Sequence, residues 1–367
     1  MCCMSEEIAI IGAGVVGLSI AYELSKTHKD IYVLEKAPFV GDGQSTRNSG
    51  VIHSGIYYPE DTLKSELCIE GNRLLYEFCE EHNVPYRKTG KLIVATNSEE
   101  DQKLEELLAL AETKKIPDVR LITDAEANKL EPNVRATSAL YLGTTGIVDA
   151  GEYVNTLARL ARDNGVEILK KTEVTDFIAC ENGFTINTDS RGEIDVKYVI
   201  NAAGLHSDEI ARMINPAQQY TMSPVRGEYF SFDSNKTGLE MKMNIYPSPK
   251  PNTVGIHLTP TFDQGKIIVG PTAINIASKT DYAQNRKGVR YFLEAVKSFF
   301  PNLKEEDLRE DFAGIRAKLK DHYDFVIKTD EQYPGCLHLI GIDSPGWTCS
   351  QAIGKKVKIK DGQVNFN

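Results

Sequence analysis

The chain has 367 residues, of which 41% are hydrophobic and 26% charged, and a net charge of −10. That length suits two joined domains better than one core. The acidic balance argues against nucleic acid or an anionic membrane surface as the main partner, while leaving room for a local basic pocket.

Seven cysteines (Cys2, Cys3, Cys68, Cys79, Cys180, Cys336 and Cys349) are scattered, odd in number and never spaced C-x-x-C. This fits a reducing compartment and offers no zinc spacing, so no metal is expected. Cys2 and Cys3 stand where a lipid could be attached, but an incidental pair is the simpler reading. The apolar run 8–11 follows Glu6 and Glu7 and breaks at once into glycines, which does not read as a signal peptide. No apolar stretch reaches 18 residues, so no transmembrane segment is expected.

In chain order, residues 8–11 read as a short buried parallel strand. Gly12-Ala13-Gly14-Val15-Val16-Gly17 follows, then a helical pattern over 18–26 with Leu18, Ala21 and Leu24 at helical spacing. Residues 31–34 form a second strand that ends at Glu35. Strand, G-x-G-x-x-G, helix, strand and acid together make the dinucleotide fingerprint. Gly12 permits the tight turn, Gly14 lets backbone approach a pyrophosphate, and Gly17 lets helix pack on strand. The helix start, at Val15 and Val16, offers N–H groups and a positive dipole end to phosphate. Glu35 can accept from both ribose hydroxyls and disfavours a 2′-phosphate. Lys36 follows it.

The fingerprint alone does not separate FAD from NAD. Residues 44–58 are rich in hydroxyls, amides and glycine where a plain NAD domain would continue into a crossover helix. Ser45, Thr46, Arg47, Asn48, Ser49 and Gly50 suit wrapping of a flavin nucleotide. Val51, Ile52 and Ile56 make the segment too apolar for a surface loop.

Ser45-Thr46-Arg47-Asn48-Ser49-Gly50-Val51-Ile52-His53-Ser54-Gly55-Ile56-Tyr57-Tyr58 resembles the flavin loop of L-2-hydroxyglutarate dehydrogenases and oxidases. These belong to the glycine oxidase/D-amino-acid oxidase superfamily of FAD-dependent enzymes. The likeness continues through 90–95, 145–149, Asn201-Ala202-Ala203-Gly204, 245–247, 255–260, Ala313-Gly314-Ile315-Arg316 and 341–346. It therefore spans nearly the whole chain in order. It implies an α/β fold: a Rossmann-like FAD-binding domain (1–84, 145–218 and 313–367) interleaved with an α+β substrate-binding domain (85–144 and 219–312) that contains an antiparallel sheet.

The remaining segments fit that frame. Helices are expected over 63–78, from a cap at Ser98, over 152–164, over 285–300 and over 349–357. Strands are expected at 166–169, 198–201, 245–246, 255–258, 266–269 and 337–342. The small residues Ala203 and Gly204, and the turn Ser344-Pro345-Gly346-Trp347-Thr348, let backbone approach the cofactor. Val174 completes the expected cofactor set. Related enzymes usually carry a small apolar residue where this chain has Trp347, a departure that could narrow access to the flavin.

The resemblance implies oxidation of a short 2-hydroxy acid, L-2-hydroxyglutarate first among them, with hydride passing to flavin N5. The protein must then supply a base and a carboxylate anchor for a small anionic substrate. His53, in the flavin loop, is the first candidate base, because imidazole titrates near neutrality. His257 is the second. His28 and His82 read as surface residues, His338 as buried structure, and His206 as near the nucleotide. Arg316 is the candidate anchor, since guanidinium binds carboxylate bidentately at any relevant pH. Related chains usually follow this arginine with proline, whereas Ala317 and Lys318 follow here. Tyr246, Tyr57 and Arg226 are weaker candidates for lining the substrate pocket.

Two alternatives stay open. One is a glycerol-3-phosphate oxidase or an amino-acid or amine oxidase of the same superfamily. Phosphate would call for a cation near the His257 strand, where only Lys250 is at hand. The other is an inert flavin-binding regulatory protein. The electron acceptor is open among oxygen, a quinone and an electron-transfer protein. A cytoplasmic location is expected, peripheral to a membrane if a quinone is used.

Overall fold

The computed structural model of the chain describes residues 7–180, 182–250 and 254–367; Cys2 and Cys3 lie outside the described residues. Strand β1 (Ile8–Ile11) is wholly apolar and buried on every residue, which requires cover on both faces. It pairs in parallel with β2 (Ile31–Glu35) on one side and with Tyr198–Asn201 on the other. The six-stranded sheet continues outward to Glu167–Lys170 beyond β2, and through Cys336–Ile340 to Val326–Thr329 at the opposite edge. Only the last of these pairings is antiparallel. The chain leaves β1 toward β2 and returns on its other side at Tyr198–Asn201. A crevice opens at the carboxyl ends of strands at such a reversal.

Helix α1 (Val15–Ser25) begins at Gly14 and covers this sheet, burying Leu18, Ile20, Ala21 and Leu24. Its apolar face packs against helices Ala150–Asp163 and Gly346–Lys356. Burying a leucine such as Leu18 fully contributes roughly 1.5–3 kcal/mol. After the two-residue strand β3 (Val51–Ile52), helix α2 (Leu63–His82) opens at Thr62, whose side chain accepts from the Ser65 N–H. It closes at Asn83, which is left-handed at φ 56°.

A second, nine-stranded sheet joins strands drawn from 91–142 with strands drawn from 225–316. Most neighbours are antiparallel, but Asn244–Pro247 runs parallel to Lys91–Ala95. Its outer core gathers Phe230, Phe232, Phe292, Phe299 and Phe300.

Three local expectations are corrected. The helix expected over 285–300 is confined to Val289–Val296. Asn285 is left-handed at φ 51°, and the Lys287 N–H donates to Glu228, so this stretch serves a tertiary contact before the helix begins. The cap expected at Ser98 is Asn97, whose side chain accepts from the Glu100 N–H. His82 is half-buried, with its ring 4.5 Å from that of Phe78.

Candidate active site

A cavity of about 1480 Å³ runs along the carboxyl ends of the parallel strands and on under the large sheet. One end is built by the glycine loop. Gly12 sits at φ 106°, and a Cβ there would lie 2.6 Å from the Ala202 carbonyl oxygen. A Cβ on Gly17 would lie 2.1 Å from the Gly12 carbonyl oxygen, so Gly17 serves helix packing and does not line the cavity. The Ala13 N–H donates to Glu35 Oε2 and the Ala37 N–H to Glu35 Oε1, each at 2.8 Å. The Val15 N–H donates to Ser45 Oγ at 2.9 Å. Glu35 thus holds the loop with one lone pair of each oxygen and keeps the others for a ligand.

We expect Gly12→Ala to destabilise the fold by on the order of 1–3 kcal/mol, from left-handed strain and the carbonyl clash. It should also release flavin. Thermal melting, together with flavin absorbance remaining after gel filtration, checks both effects.

Gly12, Gly14, Val15, Val16, Glu35, Lys36, Ser45, Arg47, Asn48, Ser49, Ala203, Gly204, Ser344, Pro345, Gly346 and Trp347 all line the cavity. Four other expected cofactor residues do not. Thr46 turns its hydroxyl to the Gly41 carbonyl. Gly50, at φ 66°, packs where a Cβ would lie 2.6 Å from the Val148 carbonyl oxygen. Val174 is buried in a core cluster with Ile11, Leu34 and Val199. Thr348 is buried; its hydroxyl accepts from the His53 N–H at 3.1 Å and donates to the Val51 carbonyl at 3.4 Å. Trp347 donates from Nε1 to the Ser45 carbonyl at 3.1 Å, tying the closing turn to the loop before His53.

At the other end stand His53, Tyr57, Tyr246, His257 and Arg316. Several elements place His53. Thr348, from the C-terminal helix, holds its N–H, and Asn72 of α2 donates to its carbonyl at 2.9 Å. Sequence alone does not single out Asn72; its one visible signal is an amide among the mostly apolar buried residues of α2. His257 lies on the strand His257–Pro260, with Nδ1 3.0 Å from the Gly255 carbonyl and its ring stacked on Tyr246 at 3.8 Å. Arg316 ends the strand Arg309–Arg316. Among the described residues it pairs with no carboxylate.

Burial pushes the His53 pKa down to about 3, helped by the positive charges of Lys91, His257 and Arg316. Burial likewise lowers His257 to about 3, with Arg316 and Lys91 adding to it and the Gly255 carbonyl opposing. Both imidazoles are therefore neutral at neutral pH. Burial raises Tyr57 and Tyr246 well above the ordinary phenol, so both stay protonated. Their hydroxyls are buried with no hydrogen-bond partner among the described residues, at the surface of the cavity. Such orphaned donors await a ligand.

Arg226 is corrected. It is 1% exposed, and its guanidinium pairs with Glu228 and with Asp281, each at 2.9 Å. Strand residues alternate in direction. On Val225–Asp233, residues Val225, Gly227 and Tyr229 face the cavity, and Arg226 and Glu228 face away. His206 lines the cavity beside Glu209, and His338 is buried against Asp330.

The glycine cradle, the Glu35 carboxylate and the length of the cavity fit a bound flavin dinucleotide. Fold and site together define a dinucleotide-binding oxidoreductase. Residues 7–358 match the FAD dependent oxidoreductase (DAO) family, and the chain belongs to it. It is an FAD-dependent enzyme.

The chain is 30% identical to the mitochondrial L-2-hydroxyglutarate dehydrogenase of Arabidopsis thaliana, covering 96% of this chain and 83% of that protein. It is 32% identical to a glycerol 3-phosphate dehydrogenase of Caloramator mitchellensis, covering 98% and 76%. In structure it is similar to the dithionite-reduced L-alpha-glycerophosphate oxidase of Mycoplasma pneumoniae with FAD bound, at a TM-score of 0.89 and 29% identity, covering 95% and 92%. Among the described residues no helix is long and apolar enough to cross a membrane, and no group of His, Cys, Asp and Glu is placed to hold a metal ion.

Proposed function

We propose that the enzyme oxidises L-2-hydroxyglutarate to 2-oxoglutarate. The observation that carries this reading is Arg316, which pairs with no carboxylate among the described residues and lines the cavity with two neutral imidazoles. The similarity to L-2-hydroxyglutarate dehydrogenases supports it. Arg316 would grip the C1 carboxylate. An imidazole nitrogen of His53 would take the hydroxyl proton as the C2 hydride leaves. His257, held by Tyr246 and the Gly255 carbonyl, would orient the substrate. Bound FAD supplies the acceptor for the hydride. An arriving carboxylate also offsets the positive charges that depress the His53 pKa, so substrate strengthens its own base.

Lys250 favours a second reading, because it lines the same cavity. A cation there could hold the phosphate of glycerol 3-phosphate, and relatives named for that substrate are similar in sequence and in fold. Anaerobic mixing of the holoenzyme with L-2-hydroxyglutarate, glycerol 3-phosphate and a set of amino acids separates the readings. L-2-hydroxyglutarate should bleach the flavin fastest. Fast bleaching by glycerol 3-phosphate and none by L-2-hydroxyglutarate would reverse the order.

A further inference from the structure

Lys91 opens the strand Lys91–Ala95, which is otherwise apolar and entirely buried. Its side chain is 1% exposed, yet no carboxylate or hydrogen-bond acceptor meets its ammonium among the described residues. Instead Nζ lies 4.7 Å from the ring centre of Tyr57 and 4.6 Å from that of Tyr246. These two rings line the substrate end of the cavity, and Tyr246 is stacked on His257.

A buried ammonium without a counter-ion is costly, and aromatic faces offset only part of that cost. A methionine would fill the same space without it. Cys68 of α2 acts electrostatically on Lys91, Lys91 acts in turn on His53 and His257, and the rings of Tyr57 and Tyr246 flank its ammonium. No aspartate or glutamate is among them. The missing counter-charge has one evident source, an anion in the cavity.

We infer that Lys91 is a positioning residue that couples binding of the anionic substrate to uptake of one proton, holding that proton on Nζ behind Tyr57 and Tyr246. This rests on the reading of the His53–Arg316 end as the substrate end, but not on which anion is oxidised. Burial lowers the Lys91 pKa to about 7, so in the free enzyme the amine loses its charge as pH rises above neutrality. An anion nearby restores the charge. His53 and His257 are already neutral throughout that range.

The test measures binding of 2-oxoglutarate, and separately of glycerol 3-phosphate, to oxidised holoenzyme by flavin spectral perturbation and calorimetry from pH 6 to 9. Which anion binds tests the substrate reading; how its binding depends on pH tests Lys91. For the anion that binds, Kd should weaken about tenfold per pH unit above pH 7. Calorimetry in buffers of different ionisation enthalpy should show uptake of about one proton at pH 8, and this needs no variant. Lys91→Met should flatten the pH dependence and retain FAD, Lys91→Arg should bind tightly at every pH, and His53→Asn should keep the slope. No proton uptake by the native enzyme, an unchanged slope in Lys91→Met, or a slope lost in His53→Asn would overturn the inference. Binding of neither anion would overturn both it and the substrate reading.

Discussion

Replacing His53 by alanine is expected to slow flavin reduction about 10²- to 10⁴-fold without loss of FAD, the span ascribed to a positioned general base. The flavin should stay because His53 makes none of the contacts that shape the glycine loop, which the Glu35 carboxylate and Ser45 hold. Rapid anaerobic mixing of native and variant holoenzyme checks it, and unchanged reduction rates would remove His53 from the base role. The same geometry fixes a pH dependence. His53 and His257 are held near pKa 3 when folded, against about 6.5 unfolded. The unfolded chain therefore binds protons first on acidification. Their contribution to stability is complete above about pH 6.5 and is lost as pH falls toward 3. By the same reasoning, protonation of His53 in the free enzyme should not limit kcat/KM between pH 6 and 8.

Replacing Arg316 by methionine is expected to lower kcat/KM roughly 10²- to 10³-fold, the usual cost of removing one partner from a buried charged pair. Most of that loss should appear as a higher KM if the guanidinium serves binding, and in kcat if it aligns the hydroxyl carbon. Because Arg316 is one of the charges that depress His53, its removal should also raise the His53 pKa. An acidic limb of kcat/KM that moves upward in Arg316→Met would report that coupling. Steady-state kinetics across pH measures both effects, and a variant with native kcat/KM would contradict the anchor role.

Much of the cofactor end is legible in the sequence because its determinants are local. The apolar run Ile8–Ile11, the spaced glycines and the acid at Glu35 each act within a few residues of chain, and the strands and α1 appear where periodicity puts them. The end of the cavity at His53 and Arg316 is less legible. Arg226 and Tyr229 stand three positions apart on one strand, and nothing in the sequence says which parity faces the cavity. Thr348 reads as a cofactor residue from its turn, but it holds the backbone of a histidine 295 positions away. Asn72 and Lys91 look like polar interruptions of apolar elements until the fold sets them against His53 and the two tyrosines. The helix expected over 285–300 is shortened because residues 285–288 are recruited to cover Glu228, a contact that no local pattern encodes.

The most direct test of the proposed reaction is a single anaerobic turnover of native holoenzyme with L-2-hydroxyglutarate, with reduced flavin and released 2-oxoglutarate counted together. One equivalent of 2-oxoglutarate per flavin reduced, absent with the D enantiomer, is the predicted result. A flavin that stays oxidised with L-2-hydroxyglutarate, yet is reduced by glycerol 3-phosphate, would contradict it.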